Sequence, residues 1–297
     1  NSRNFNAINA LIAREPSLVF ETDHNGANAL LLACSQGDVK TIQLLLNNNS
    51  PIAVIRNIKI GKAILKNANS LMVAVTAGIR LPAIIEGLIE RCKKDNIALD
   101  SKASNGLQVI HMMAARKGNC ESIKIILEHD PALLNAVDDR NRNALSWACH
   151  CRDEETIRFL LDRRCSIIRC QHFNSQTKSI EDNVNPLMLA VLHREIASDI
   201  IGLLVERLRD EKVSLTDETG YGRQAIHFAA QGGNCAAIKK LLQSDPALIH
   251  ATSNYSTSGW NKKVNMSPFH VACDFEQEEA AMLLIKSGAI LAGNPVV

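Results

Sequence analysis

Aromatic residues are scarce in this chain, at 4% of 297 residues with two Trp and two Tyr. A core of stacked rings is therefore excluded, and the 46% hydrophobic content falls mostly to Ala, Leu and Ile, which suit closely packed helices. Net charge is also scarce: +2 overall nominates neither nucleic acid nor an acidic membrane. Basic clusters such as Arg91, Lys93 and Lys94 are broken by acids and read as a solvated helix face. No apolar run reaches membrane-spanning length, and no charged-then-apolar leader opens the chain. The initiator Met is missing and the chain starts in mid-pattern, so a fragment of a longer chain is expected. No Gly-rich phosphate cradle is present; the glycines sit where turns need left-handed backbone. The nine cysteines are odd in number and dispersed, which points to reduced thiols and a cytoplasmic compartment.

What the chain does have is repetition. Asp130-Pro131-Ala132-Leu133 returns as Asp245-Pro246-Ala247-Leu248, 115 residues on, and Glu15-Pro16-Ser17-Leu18 lies 115 residues before it. Asn4, Asn119 and Asn234 keep step, as do Ile8, Ile123 and Ile238. Each long period holds three shorter units. Their cores are Ala-containing helix starts: Asn28–Gly37, Asn69–Gly78, Val109–Gly118, Asn143–Cys149, Asn185–Val191, Gln224–Gly233 and Ser267–Cys273. A second apolar helix follows after about six residues in each, as in Val39–Leu46, Ile123–Leu127 and Ile238–Leu242. One such helix pair cannot bury its own apolar face, so stability must come from stacking on neighbours. Asp-Pro stops each preceding helix, and Ala-Leu returns the chain to the core.

These segments resemble the ankyrin repeat. Ser267-Pro268-Phe269-His270-Val271-Ala272-Cys273 carries the start of that family's motif, and His227-Phe228-Ala229-Ala230-Gln231-Gly232-Gly233 carries its end. The resemblance implies an all-α ankyrin-repeat solenoid of helix-turn-helix units with β-hairpin fingers and long inter-repeat insertions. It makes 1–297 a single array: a half-unit over 1–24, then units starting near 28, 69, 108, 143, 185, 224 and 267. Met72 and Met188 replace the motif histidine, and an extra residue between His111 and Ala114 is expected to bulge that helix. The family's motif histidine bonds neighbouring turns, which gives His111, His227 and His270 a structural role. Cys34, Cys149 and Cys273 take the second Ala position and are expected to be core thiols.

The resemblance further implies a non-catalytic protein-binding module that acts through a concave face and finger loops, without cofactor or metal, as a monomer that neither binds nucleic acid nor inserts in a membrane. Its contact positions follow each Ala pair: Ser35, Gln36, Thr76, Ala77, Arg116, Lys117, His150, Cys151, Leu192, His193, Gln231, Gly232, Asp274 and Phe275. Three stretches, roughly 47–68, 162–184 and 249–265, are longer than a finger needs. The first alternates like a hairpin over 53–61. The third carries Tyr255 and Trp260 in a polar loop. Two readings of these rings stand: interface anchors, or a pair packed across the loop.

Catalysis finds little support in the residues. Cys149-His150-Cys151 and the set Cys165, Cys170 and His172 offer soft ligands or a Cys–His pair, but the spacing fits no zinc motif, and neither an orienting group nor an oxyanion site is evident. The alternative to a free-standing module is a recognition arm of a larger enzyme or bacterial effector. The Asn-rich, divergent repeats with long insertions are similar in style to ankyrin proteins that intracellular bacteria secrete. That likeness implies a host protein as partner and the host cell cytosol as compartment.

Overall fold

The computed structural model describes residues 2–174, 179–254 and 265–289. Contacts group the chain into two compact units, Asn1–Asp139 and Arg140–Val297. The first contains α1 (Ser2–Arg14), α2 (Ala29–Gln36), α3 (Val39–Asn47), the hairpin β1 (Val54–Ile60) and β2 (Ala63–Asn69), then α4 (Ser70–Ala77), α5 (Pro82–Lys94), α6 (Val109–Ala114) and α7 (Cys120–His129). The second contains α8 (Ala144–Cys151), α9 (Glu154–Asp162), the hairpin β3 (Cys170–Asn174) and β4 (Ser179–Val184), then α10 (Pro186–Val191), α11 (Ser198–Asp210), α12 (Ala225–Gly232), α13 (Cys235–Ser244), α14 (Pro268–Asp274) and α15 (Glu278–Lys286). The architecture is a mostly helical array of antiparallel pairs with small hairpins.

The short first helices form the inner layer. α2 packs on α4 and α4 on α6; in the second unit α8 packs on α10, α10 on α12 and α12 on α14. Every residue of α10 is buried, and so is Ser70–Val75 of α4. Each fully buried Leu, Ile or Met there contributes about 1.5–3 kcal/mol. Helices this short could not hold together alone, so neighbour packing sets their stability.

Two devices start the inner helices. Asn28, Asn69, Asn143 and Asn185 turn their side-chain oxygens onto the amides of Leu31, Met72, Ser146 and Met188, at 2.9–3.0 Å. The motif histidines do the converse. His111 Nδ1 accepts from the Gln108 amide at 3.1 Å, and His227 Nδ1 accepts from Gln224 at 3.0 Å. Nε2 therefore carries the proton, and it donates to Ala136 O at 2.9 Å and to Met266 O at 3.2 Å. His270 Nδ1 takes the Ser267 amide at 3.2 Å. Met72 and Met188 lack this ring, and asparagine caps replace it.

The Asp-Pro turns are single 3₁₀ turns. Asp130 and Asp245 accept from the amides of Ala132 and Ala247 at 3.1 and 3.0 Å, and Leu133 and Leu248 are buried. Two expectations fail. α6 runs without a bulge: Ala115 N bonds His111 O at 2.9 Å, and the extra residue falls in the turn after Ala114. Cys34 and Cys149 are buried, but Cys273 is exposed: α2 and α8 each have a following inner helix packed on them, whereas among the described residues α14 packs only on α12 and α15.

Candidate functional site

The second hairpin brings chemistry to the inner layer. His172 faces Glu181 across the strands, and the next pair, Phe173 with Ile180, points the other way and is exposed. Between Cys170 and His172 the register slips: two steps along β3 oppose three along β4, with Asn183 at φ 61°. That extra residue accounts for the 42 residues from Asn143 to Asn185, against 41 from Asn28 to Asn69.

His172 and Phe173 line a cavity of about 510 Å³. Trp147 and His150 reach it from one face of α8, three residues apart. Leu192 and His193 come from the turn after α10, and Gln231 and Gly232 from the last turn of α12. Arg140 and Arg142 complete the wall from the turn that leads into α8. The Arg142 guanidinium lies 3.8 Å over the Trp147 ring, a cation–π stack. The His150 ring stands edge-on to three others, at centroid distances of 5.5 Å to His172, 6.2 Å to His193 and 6.4 Å to Trp147.

Behind this wall lies an ion pair with no access to water. Arg223 and Glu181 meet at 3.1 Å, both wholly buried. Thr219 donates its hydroxyl to the second Glu181 oxygen at 2.6 Å. Arg223 also bonds the Gln231 amide oxygen and lies 4.0 Å over Phe228. Backbone contact closes the other side. A Cβ on Gly232 would fall 2.1 Å from Leu192 O, so only glycine fits. Asn234 Nδ2 donates to His193 O at 2.7 Å, and Arg194 Nε to Gly232 O at 3.1 Å.

Burial, followed by His150 and nearby arginines, presses His172 down to about 4. Burial and then Arg152 press His193 to about 4. His150, at the rim, is lowered by loss of solvent, then by Arg142 and Arg152. All three rings are neutral at pH 7. The neighbouring thiols are inert: burial drives Cys165 up to about 12 and Cys149 well above its ordinary value. The two sequence clusters thus converge but divide, with Cys149, Cys165 and Cys170 in the core and His150 and His172 at the cavity. Among the described residues no group of three or more His, Cys, Asp and Glu is arranged to hold a metal.

Of the contact positions read from the sequence, His150, Leu192, His193 and Gln231 meet at this cavity. Ser35, Gln36, Arg116, Lys117, Asp274 and Phe275 lie elsewhere: Ser35 donates to Leu32 O at 2.8 Å, and Arg116 donates to Thr76 O at 2.7 Å. Lys117 and Asp274 are exposed and Phe275 is half-buried. With the extra residue in its turn, α6 presents Ala115 and Arg116, one position earlier than read. Tyr255 and Trp260 lie outside the described residues. Sequence reading missed Arg142, Trp147, Phe173, Glu181 and Arg223. Trp147 carried a signal as one of two tryptophans, whereas Glu181 and Arg223 carried none across their 42-residue separation. A groove of about 670 Å³ in the first unit, beside α1, α2 and the start of α3, is lined by Ala7, Ile8, Leu32, Gln36, Asp38 and Lys40 among others.

A model of three ankyrin repeats matches residues 71–170 and again 187–294, and a single ankyrin repeat matches 25–58. The chain belongs to the ankyrin-repeat family. Ankyrin repeats are generally protein–protein interaction modules, and these alone are matched here, as is typical of non-catalytic proteins. The chain is also similar to an ankyrin repeat-containing protein of Schizosaccharomyces pombe, 32% identical over 133 residues. That stretch is 44% of this chain and 52% of the yeast protein, so the match spans about half the relative's length. Nothing in these likenesses supports a bacterial effector origin. Among the described residues no helix is long and apolar enough to cross a membrane.

Proposed function

We propose that this ankyrin array is a non-catalytic binding module. A protein partner is received at the cavity of the second unit and at the β3–β4 finger, with the stretch 249–265 as a further contact read from the sequence. The observation that carries this is convergence: His150, Leu192, His193 and Gln231, from three successive repeats, meet at one cavity with an exposed aromatic, Phe173, at its lip. Exposed aromatics beside a partly desolvated pocket are the usual anchors of an interface. Residues 1–297 read as one array because the motif runs through every segment. Protein partners follow from the family. A host protein and host cytosol rest on repeat style alone and form no part of the proposal.

The test is binding to an identified partner. Phe173→Ala, and separately Tyr255→Ala with Trp260→Ala, should weaken affinity at least tenfold, with an unchanged denaturation midpoint. Unaltered affinity in the Phe173 variant would remove the cavity from the interface. Unaltered affinity in the Tyr255/Trp260 variant would remove the third finger.

A further inference from the structure

We propose that the imidazole-lined cavity is a carboxylate receptor: a glutamate side chain from an acidic segment of the protein partner enters it and brings a proton with it. The inference rests on the binding-module reading and names the chemistry of the ligand. Its first support is charge. The described cavity wall holds two arginines and three histidines and no acid. Two carboxylates close to this wall are engaged with other groups. Glu181 lies behind the wall with Arg223 and Thr219, and Glu195 bonds Arg152 at 2.9 Å.

The second support is an orphan atom. Nε2 of the His193 ring is buried and has no hydrogen-bond partner. The His150 backbone beside the ring favours a protonated nitrogen on it, and we assign that proton to Nδ1. Nε2 is then a bare lone pair, and a buried unpaired polar atom is costly. A carboxyl oxygen satisfies it only with a proton between them, carried by the acid or by the ring.

The affinities for that proton are matched. Glutamate titrates near 4.3 in water, and His172 and His193 are held at about 4. Besides each other, His150, His172 and His193 face Arg142 and Arg152; Arg223 acts on His172 from behind the wall, and exposed Glu195, paired with Arg152, acts on His193. A phosphate dianion, already fully charged, would not need this proton. The apolar lip formed by Phe173 and Leu192, with Trp147 on the wall, fits the methylene stem of glutamate better than that of aspartate.

The linkage has a definite sign. An anion raises the pKa of the ring it pairs with, so the complex holds more protons than the free protein, and affinity rises as pH falls. If the bound ring titrates near its ordinary 6.5, affinity at pH 5.5 exceeds that at pH 8 by about tenfold. The probe is a capped peptide, Leu-Glu-Glu-Leu-Glu, titrated into the full chain carrying Trp260→Phe. Trp147 is then the only tryptophan. Its fluorescence reports binding, and calorimetry in two buffers of different ionisation heat reports proton uptake.

Three results support the proposal. The peptide binds about tenfold tighter at pH 5.5 than at pH 8, takes up close to one proton, and loses both effects in His193→Gln while keeping the wild-type melting temperature. The ¹⁵N imidazole spectrum should also show Nε2 of His193 unprotonated when free and protonated when bound. The Gln-for-Glu peptide binding equally, with no proton uptake, would overturn the carboxylate assignment and leave the binding-module reading standing. A phosphoserine peptide or inorganic phosphate binding more tightly than the glutamate peptide would overturn it in favour of a phosphate site. Absence of any Trp147 response up to millimolar peptide would also overturn it, whereas the binding-module reading fails only by its own partner test.

Discussion

The two halves of the duplicated block are built alike and furnished differently. Both begin with an Asn-capped helix, follow it with a hairpin and then a second Asn-capped helix, and end at an Asp-Pro turn. In the first, the inner positions carry Leu32, Ser35, Gly37, Ala77 and Leu107. The matching positions in the second are Trp147, His150, Arg152, His193 and Arg223. The hairpins differ in the same sense. β1–β2 exposes Val54 and Ile64 and buries Leu65, an apolar arrangement, whereas β3–β4 buries His172 and Glu181. The duplicated scaffold tolerates either set, because caps and inner-layer packing hold each repeat and the face beyond them is free to vary. Chemistry has gathered in one copy.

Breaking the buried ion pair should have the largest effect. Glu181→Ala strands the Arg223 guanidinium without water and should cost about 3–5 kcal/mol in denaturant unfolding. The double change Glu181→Leu with Arg223→Leu, which restores the first copy's Leu107 chemistry, should recover most of that loss. A single-variant cost below about 1 kcal/mol would mean that the pair does not hold the second finger down.

Next comes the close approach at Leu192. Gly232→Ala forces the helix ends apart and should cost about 1–3 kcal/mol. In the first copy the exposed Arg116 fills the matching position, and Arg116→Ala should change stability by less than about 1 kcal/mol. Equal costs would erase the distinction between the copies.

Acid should destabilise the histidine-rich copy more, through His172 and His193, since buried His227 has its match in His111 of the first copy. The folded pKa values of His172, His193 and His227 lie at about 4, 4 and 3, below the unfolded value of about 6.5. Their contribution is therefore fully present above pH 6.5 and is lost as pH falls through 6.5 towards 4. The slope approaches about 1.4 kcal/mol per pH unit for the fully buried His227 and is smaller for half-exposed His193. A melting temperature that stays flat from pH 7 to pH 4.5 would contradict these depressed values.

The smallest effect concerns a turn. Arg152 ends α8 at φ 62°, where the first copy has Gly37 at φ 69°. Arg152→Gly relieves the left-handed strain and gives up an exposed ion pair with Glu195, so it should stabilise by up to about 1 kcal/mol. It should also raise the pKa of His193, readable by imidazole NMR. Loss of stability in this variant would show that the ion pair outweighs the strain.

The array was legible in the sequence because its causes are local. Asparagine caps, Asp-Pro turns and the His-x-Ala-Ala motif each act within a few residues, and their recurrence counts the repeats. The first hairpin was readable for the same reason, since the alternating, β-branched stretch over 53–61 marks a strand and its turn. The supposed bulge at His111 was misread because one surplus residue can be absorbed by a helix or by the turn after it. The turn is the cheaper place, since it breaks no hydrogen-bond ladder.

The cavity was half legible. His150, Leu192, His193 and Gln231 stood out by motif position, which depends only on the repeat. His172 was noticed for a different chemistry, beside cysteines that turn into the core. Glu181 and Arg223 gave no sign: a buried charge is tolerable only with its partner in place, and the partner lies on another repeat. Sequence alone determined the repeat, its caps and its turns, because these depend on neighbours along the chain. Only the tertiary structure decided which imidazoles face one another, which thiols are sealed in the core and which arginine meets which glutamate. Those outcomes depend on how one inner helix packs on the next and on a single-residue slip in a hairpin.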